Sequence, residues 1–158
     1  MNNEDRKGYT NRVVQANKSE LIVILYDIIL QDLREARENL SIGEIEEFQK
    51  SCDHSCRAVN ELIVSLDFQY DISKELFRLY HYVNENVTKA KTTRQESLLT
   101  NAYKTMEKLR LAFVEVATQD QSQPVMKNTE QVYAGLTYTK GNLNESLLDD
   151  SSNRGFKV

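Results

Sequence analysis

Three residues in one short stretch, Cys52, His54 and Cys56, carry side chains that often bind metal ions. If the stretch is helical, the two cysteines share a face, but His54 points about 200° away from Cys52. A structural zinc site needs four ligands, and His81 is the only other histidine. Side chains one helical turn apart also point in parallel, which disfavours a disulfide. The spacing therefore favours free thiols that fill a core.

Catalytic motifs of other kinds do not occur in the sequence. A di-iron site in a helical bundle needs Glu-x-x-His on two helices, and no glutamate here has a histidine three residues later. The sequence also has no phosphate-binding glycine loop and no G-x-S-x-G motif. We therefore predict that the protein is not an enzyme and that it uses no cofactor.

The composition indicates a soluble single-domain protein. The chain has 158 residues, a formal net charge of −4 and no extended basic cluster, which argues against nucleic acid as a partner. No signal-peptide core follows the N-terminus, and the apolar run near residues 21–30 is too short to span a bilayer. We expect a cytoplasmic location and no membrane insertion.

Apolar residues recur at alternating spacings of three and four, which predicts amphipathic helices. Asn17 and Glu20 have capping-box spacing, and Gly43 is a helix-ending residue. Asp71 is a candidate cap for a later helix. These signals predict four helices, which run from the Asn17 cap to about Leu40, over about Glu44–Leu66, over about Ile72–Lys91 and over about Arg94–Thr118.

The first predicted helix is apolar over an unusually wide face, so other helices must cover it from two sides. Its main stripe is Ile22, Tyr26, Ile29, Leu33, Ala36 and Leu40, with a second stripe of Leu21, Leu25 and Ile28. The third predicted helix presents Ile72, Leu76, Leu79, Val83 and Ala90, and the fourth presents Leu99, Ala102, Met106, Leu109, Phe113 and Val116. We predict that Leu25, Ile29, Val59, Leu62, Val83 and Leu109 are deeply buried or line a groove.

Helices of this length with short connections predict an all-α fold, an antiparallel up-down four-helix bundle. We divide the chain into an N-terminal arm (1–16), the bundle (17–118) and a linker with a largely irregular C-terminal tail (119–158). Glycine and asparagine in the tail disfavour another long helix, yet its apolar residues disfavour a solvated tail. Val132, Tyr133, Leu136, Tyr138 and Leu143 therefore predict docking onto this bundle or a neighbouring copy, over the partner site or over an unrelated face.

Four short motifs in chain order resemble the flagellin-specific export chaperones of the FliS family, over roughly Tyr9–Ala117. They are Asn11-x-Val13 with Ala16, Glu20 and Leu-Ile-x-x-Leu-Tyr-Asp at 21–27; Ser65-Leu66-Asp67; Leu76-x-x-Leu79-Tyr80-x-Tyr82-Val83-Asn84; and Leu109-Arg110-x-Ala112-Phe113. Phe113 stands where the family usually has tryptophan. The Asp67–Asp71 loop is two residues shorter than the family's glycine loop.

The resemblance implies a non-enzymatic cytoplasmic chaperone that binds the C-terminal segment of flagellin, prevents premature polymerisation and delivers flagellin to the flagellar type III export apparatus. A helix-in-groove interface suits such a partner. The expected flagellin-binding residues are Leu25, Ile29, Leu62, Leu66, Tyr80, Val83, Val87, Leu109 and Phe113. Tyr80, Val87 and Phe113 are expected to form the groove, although core packing is the default interpretation of aromatic residues on such stripes, Tyr26, Tyr80 and Phe113 among them.

The family's N-terminal arm also docks at the export gate protein, so Tyr9, Val13 and Ala16 are the positions that would inherit this role. The alternative function is a helical-bundle adaptor that acts through self-association. The sequence leaves open both a monomer and a homodimer.

Overall fold

The computed structural model describes residues 3–126, with side chains from Lys7 onward. This part of the chain consists of five helices without a strand, which confirms the all-α prediction for these residues. The helices are α1 (Asn3–Gln15), α2 (Lys18–Ile42), α3 (Ile45–Val64), α4 (Asp71–Thr93) and α5 (Glu96–Gln119). The predicted tail contacts of Val132, Tyr133, Leu136, Tyr138 and Leu143 lie outside the described residues.

Both ends of α2 have the caps that the sequence predicts. The Asn17 side chain accepts a hydrogen bond from the Glu20 amide, and the Glu20 carboxylate accepts one from the Asn17 amide, both at 2.9 Å. At the other end Gly43 has φ 82°, a left-handed conformation that glycine adopts without strain. The helix reaches Ile42, two residues beyond the predicted end at Leu40.

The start of α4 differs from the prediction that Asp71 caps it. Tyr70 is the N-cap residue, and its side chain makes no capping bond. The turn is instead organised around Asp67, whose side chain accepts from the Gln69 amide at 2.9 Å and whose carbonyl accepts from the Ser73 hydroxyl at 2.6 Å. Asp71 consequently lies inside the first turn, where its charge still suits the helix dipole.

Helices α2 to α5 pack in a ring in which each helix contacts two neighbours, α2 with α3 and α5, and α4 with α3 and α5. Polar contacts show that α2 and α5 run in opposite directions: Asn17 bonds Asp120, Asp27 pairs with Arg110, and Arg37 pairs with Glu96. Asn60 with Asn84 and Asp53 with Lys91 show the same for α3 and α4.

The core lies inside this ring. Four residues predicted to be deeply buried, Ile29, Val59, Leu62 and Val83, have no exposed surface, whereas Leu25 and Leu109 pack at the margin of the core and are half-buried. Cys52 is a buried free thiol, as predicted, and burial raises its pKa to about 12. Cys56 is half-buried.

The N-terminal arm is helical and lies outside the ring, against α2. Ile24 lies on the side of α2 about 160° from the core residue Tyr26, yet Ile24 is buried. A cleft of about 410 Å³ is lined by Arg12, Ala16, Ile24 and Val114, among others, so α1, α2 and α5 enclose Ile24 together. The arm therefore covers an apolar surface that the ring leaves outside its core.

Candidate functional site

The orientation of α4 follows from its polar contacts with α3. Asn84 donates to Asn60 at 2.9 Å, and Lys91 pairs with Asp53, so the flank of α4 that carries Asn84 and Lys91 faces α3. At about 100° per residue, Leu79 and Tyr82 lie on the opposite flank. That flank faces α5, the other neighbour of α4.

Contacts with α2 orient α5 in the same manner. Arg110 pairs with Asp27, and Glu96 pairs with Arg37, so one flank of α5 faces α2. Leu109 and Val116 lie on the other flank by helical geometry and therefore face α4. The second half of α5 is poorly enclosed, since Met106 is its last buried residue.

These two flanks form the α4–α5 groove, which we define by Ile72, Leu79 and Tyr82 on α4 and Leu109, Phe113 and Val116 on α5. Ile72, Leu79, Tyr82 and Val116 are exposed, whereas Leu109 and Phe113 are half-buried. The Phe113 ring lies 5.3 Å from the Tyr26 ring, centroid to centroid, so Phe113 reaches inward to the core. An exposed apolar stripe along two adjacent helices is a typical surface for an amphipathic partner segment.

The other three outer grooves of the ring are less suited to an apolar partner. The α2–α5 groove is partly covered by α1, through Arg12 to Asp27 at 2.7 Å and Tyr9 to Gln31 at 2.9 Å. Polar contacts cross the α3–α4 groove. In the α2–α3 groove Asp32 forms a hydrogen bond with His54. The apolar stripe of Leu21, Leu25 and Ile28 along this groove is half-buried.

The predicted flagellin-binding residues fall into two groups, one buried in the core and one half-buried at its margin. Ile29, Leu62, Tyr80, Val83 and Val87 have at most 1% of their surface exposed. Tyr80 and Val87 therefore lie in the core and not in an open groove, because α4 turns them toward α2 and the Tyr80 hydroxyl bonds that of Tyr26 at 2.6 Å. Leu25, Leu66, Leu109 and Phe113 are half-buried at the core margin.

Sequence reasoning assigned Ile72, Leu79 and Val116 to core stripes and missed Tyr82 as a surface residue. A stripe that repeats every 3.5 residues drifts around a helix that repeats every 3.6. Residues far from the best-packed turn therefore move to the flank. Ile72 and Val116 lie near the ends of α4 and α5 and fit this account, whereas Leu79 and Tyr82 lie at the middle of α4 and are exposed because they belong to its flank.

The residues predicted for export-gate docking lie on or next to α1. Tyr9 and Val13 are half-buried, and the Tyr9 hydroxyl donates to Gln31 at 2.9 Å. Ala16 is buried in the link between α1 and α2, and its carbonyl accepts from the Val125 amide at 3.1 Å. Two of the three positions therefore lie on α1, and the third lies in the link between α1 and α2.

A family model described as flagellar protein FliS matches residues 1–120 of the chain. The chain belongs to the FliS family. No curated protein matches it. The matched region contains all five helices and the α4–α5 groove, and membership implies a flagellar chaperone role, a role that is not enzymatic.

Polar side chains of this FliS-family chain pair with one another, as Asp32 does with His54. No group of three potential metal ligands occurs among residues 7–126. His54 is a partner of the buried Asp32, with Nδ1 and Oδ2 2.6 Å apart. Within the described helices, none is long and apolar enough to cross a membrane.

Proposed function

We propose that this protein is a cytoplasmic export chaperone that binds the C-terminal segment of flagellin in the α4–α5 groove. Bound in this way, flagellin cannot polymerise prematurely and can be delivered to the flagellar type III export apparatus. The FliS family membership supports the flagellar role. The observation that carries the binding site is the exposed apolar stripe of Leu79, Tyr82 and Val116.

The energetics of the groove favour a long amphipathic partner. Fully burying a side chain such as leucine or valine contributes roughly 1.5–3 kcal/mol, while ordering a disordered segment costs about 2–5 kcal/mol or more. Several contacts along the groove are therefore needed for a stable complex. The groove runs along the first half of α4 and the second half of α5, so it offers several contacts to a helical flagellin segment.

We further infer that α2 to α5 form an antiparallel up-down four-helix bundle. The opposite directions of α2 and α5, and of α3 and α4, support this topology. Asp32 and His54 lie at similar positions relative to the turn at Gly43, which supports the same relation for α2 and α3. In this bundle the starts of α2 and α4 and the ends of α3 and α5 share one end, which we name the distal end.

We propose a second role for α1, which is docking to the export gate protein through Tyr9, Val13 and Ala16. The polar contacts that hold the arm on α2 include the ion pair of Arg12 with Asp27, in which the Arg12 side chain is about half exposed. Contacts of this kind contribute little free energy, so a partner can displace the arm. Displacement would expose Ile24 and the cleft beneath it as an additional apolar surface.

The binding site is tested by placing one charge in the groove. Leu79→Glu and Val116→Glu should each weaken binding of the C-terminal flagellin peptide from the same genome at least about tenfold, because a buried unpaired charge is costly. Leu111→Glu is the matched control, since Leu111 is an exposed leucine on the other flank of α5. Calorimetric titration measures the affinity, and circular dichroism checks folding.

If all three variants bind the peptide with the affinity of the wild-type chain, the α4–α5 groove is excluded as the binding site. If neither the wild-type chain nor any variant binds the peptide, and the protein self-associates, the result supports the alternative function, a helical-bundle adaptor. Sedimentation of each variant alone distinguishes these outcomes.

A further inference from the structure

A second exposed apolar surface surrounds the turn between α3 and α4. Seven large apolar side chains among residues 7–126 are more than half exposed: Ile42, Val64, Phe68, Tyr70, Ile72, Leu111 and Val116. Four of them fall in the short stretch 64–72. We name Val64, Phe68, Tyr70 and Ile72 the turn patch. Their exposed fractions are 81%, 53%, 63% and 63%.

The turn patch is held in place by polar bonds and not by burial of its own side chains. The Asp67 carbonyl accepts from the Tyr70 amide at 3.2 Å and from the Ser73 hydroxyl at 2.6 Å. Ser73 is buried, so this anchor is shielded from water. Phe68 packs edge-on against Phe77, with ring centroids 5.7 Å apart. The turn therefore presents a preformed apolar surface, which lowers the entropic cost of docking.

The described chain ends at the same end of the bundle. The Asn17 side chain donates to the Asp120 carbonyl at 3.1 Å, and the Val125 amide donates to the Ala16 carbonyl at 3.1 Å. Residues 120–125 are thus fastened beside the start of α2. The start of α4 lies diagonally across the distal end from the start of α2, since α2 contacts α3 and α5 on either side.

The chain beyond Met126 has the length and the apolar residues to cover the turn patch. Neighbouring helices lie about 8–10 Å apart, so the diagonal across the distal end is about 14 Å. Residues 127–132 can span up to about 20 Å when extended. Val132 and Tyr133, followed by Leu136 and Tyr138, are therefore the first apolar residues able to reach the patch.

We propose that the C-terminal segment of this chain, residues 127–158, docks on the turn patch of its own bundle through Val132, Tyr133, Leu136 and Tyr138. This docking leaves most of the α4–α5 groove open, because only Ile72 belongs to both surfaces. The segment is thus an intramolecular strap at the distal end. The inference does not depend on flagellin binding.

Limited proteolysis of the full-length chain tests the docking. Chymotrypsin cleaves after aromatic residues, and mass spectrometry measures the rate of cleavage after Tyr133 and Tyr138. Tyr70→Ser should raise this rate roughly tenfold, because cleavage follows the population of the undocked segment. Serine at position 70 preserves the backbone bond to Ser73 and is itself a good N-cap residue, so α4 should remain folded.

Ile42→Ser is the matched control, because Ile42 is also highly exposed but lies at the opposite end of α2. It should leave the rate at the wild-type value. Equal rates in wild type, Tyr70→Ser and Ile42→Ser would overturn the proposal. A wild-type rate that falls with rising protein concentration would also overturn it, since protection would then come from a second copy. No flagellin is present, so the result is independent of the groove variants.

Discussion

The hydroxyl groups of Tyr26 and Tyr80 meet inside the core, 2.6 Å apart. Burial raises the pKa of Tyr26 and that of Tyr80, so both phenols remain protonated and one donates to the other. This bond joins α2 to α4 across the ring. It also explains how two polar groups are accommodated in an otherwise apolar layer.

Removing one of these hydroxyls should lower the free energy of unfolding by more than half of the loss that removing both causes. Tyr26→Phe leaves the Tyr80 hydroxyl buried without a partner, a loss of about 1–3 kcal/mol in the free energy of unfolding. The double variant Tyr26→Phe with Tyr80→Phe removes both groups and should lose clearly less than the sum of the single variants. Urea unfolding measures the three values, and strict additivity would contradict the coupling.

Asp32 is a buried carboxyl group whose partner is His54. Desolvation raises the pKa of Asp32 above its ordinary value of 3.8, and the hydrogen bond with His54 opposes this rise. A raised pKa in the folded state means that the folded chain binds this proton more tightly than the unfolded chain. The stabilisation is therefore complete below pH 3.8 and is lost as the pH rises through the raised pKa.

Asp32→Asn should remove this pH dependence. We expect the free energy of unfolding of the variant to fall less than that of wild type as the pH increases upward from about 4. Asp71→Asn is the control, because the Asp71 side chain is almost fully exposed. Denaturant unfolding at a series of pH values measures the slopes, and identical slopes in all three proteins would show that Asp32 does not titrate in this range.

At the scale of elements, α1 is the most weakly attached helix of those described. Its polar attachments to α2 include the Arg12 pair with Asp27 and the Tyr9 bond to Gln31, and Arg12 also lies over the Tyr9 ring at 5.7 Å. Asp27 has a second partner in Arg110. Loss of Arg12 therefore leaves the α2–α5 contact intact and affects only the arm.

Arg12→Ala should loosen α1 without unfolding the bundle. A surface ion pair contributes about 0.2–1 kcal/mol, so amide hydrogen exchange in residues 7–15 should become up to about fivefold faster. Exchange in α3 and α4 should stay unchanged. Lys50→Ala, which removes an exposed ion pair on α3, is the control. Unaltered exchange in residues 7–15 would show that the Arg12 pair with Asp27 does not help to hold the arm.

The helices and the caps of α2 were predictable because their signals are local. Asn17 with Glu20 and Gly43 act through their own backbone neighbourhood, and the structure confirms them. Asp71 was assigned wrongly because the turn depends on Asp67 and Ser73, a combination that propensity alone does not reveal. Helix existence is thus readable from the sequence, while turn chemistry requires the bonds themselves.

How deeply a side chain is buried was harder to predict than the side of the helix on which it lies. Tyr80 was predicted to lie in the groove and Tyr82 was not, yet only Tyr82 is exposed, because Tyr80 faces α2 across the ring. Ile72 and Val116 fit core stripes yet lie where the helices no longer have neighbours on every side. Periodicity indicates which residues lie together, and the packing of other helices decides whether they are enclosed.

At the scale of the whole molecule, several surfaces meet at the distal end. In the link between α1 and α2 the Ala16 carbonyl accepts a hydrogen bond from the Val125 amide, and the Ser19 hydroxyl donates to the Asp120 carboxylate at 2.5 Å. The hydrogen bond from Ser19, followed by those from Ser122, lowers the pKa of Asp120 to about 2. The carboxylate is therefore charged at neutral pH and joins the start of α2, the end of α5 and the start of the C-terminal segment.

The absence of buried residues in α5 after Met106 affects how that helix forms. Most helical stability in proteins comes from tertiary packing, and Glu107–Gln119 receives it only along one side, from the half-buried Leu109 and Phe113 and from the Arg110 pair with Asp27. Helix propagation through these last turns is therefore coupled to whatever covers them. If a partner segment docks in the α4–α5 groove as proposed, the last turns of α5 should therefore gain helical stability when that segment covers them.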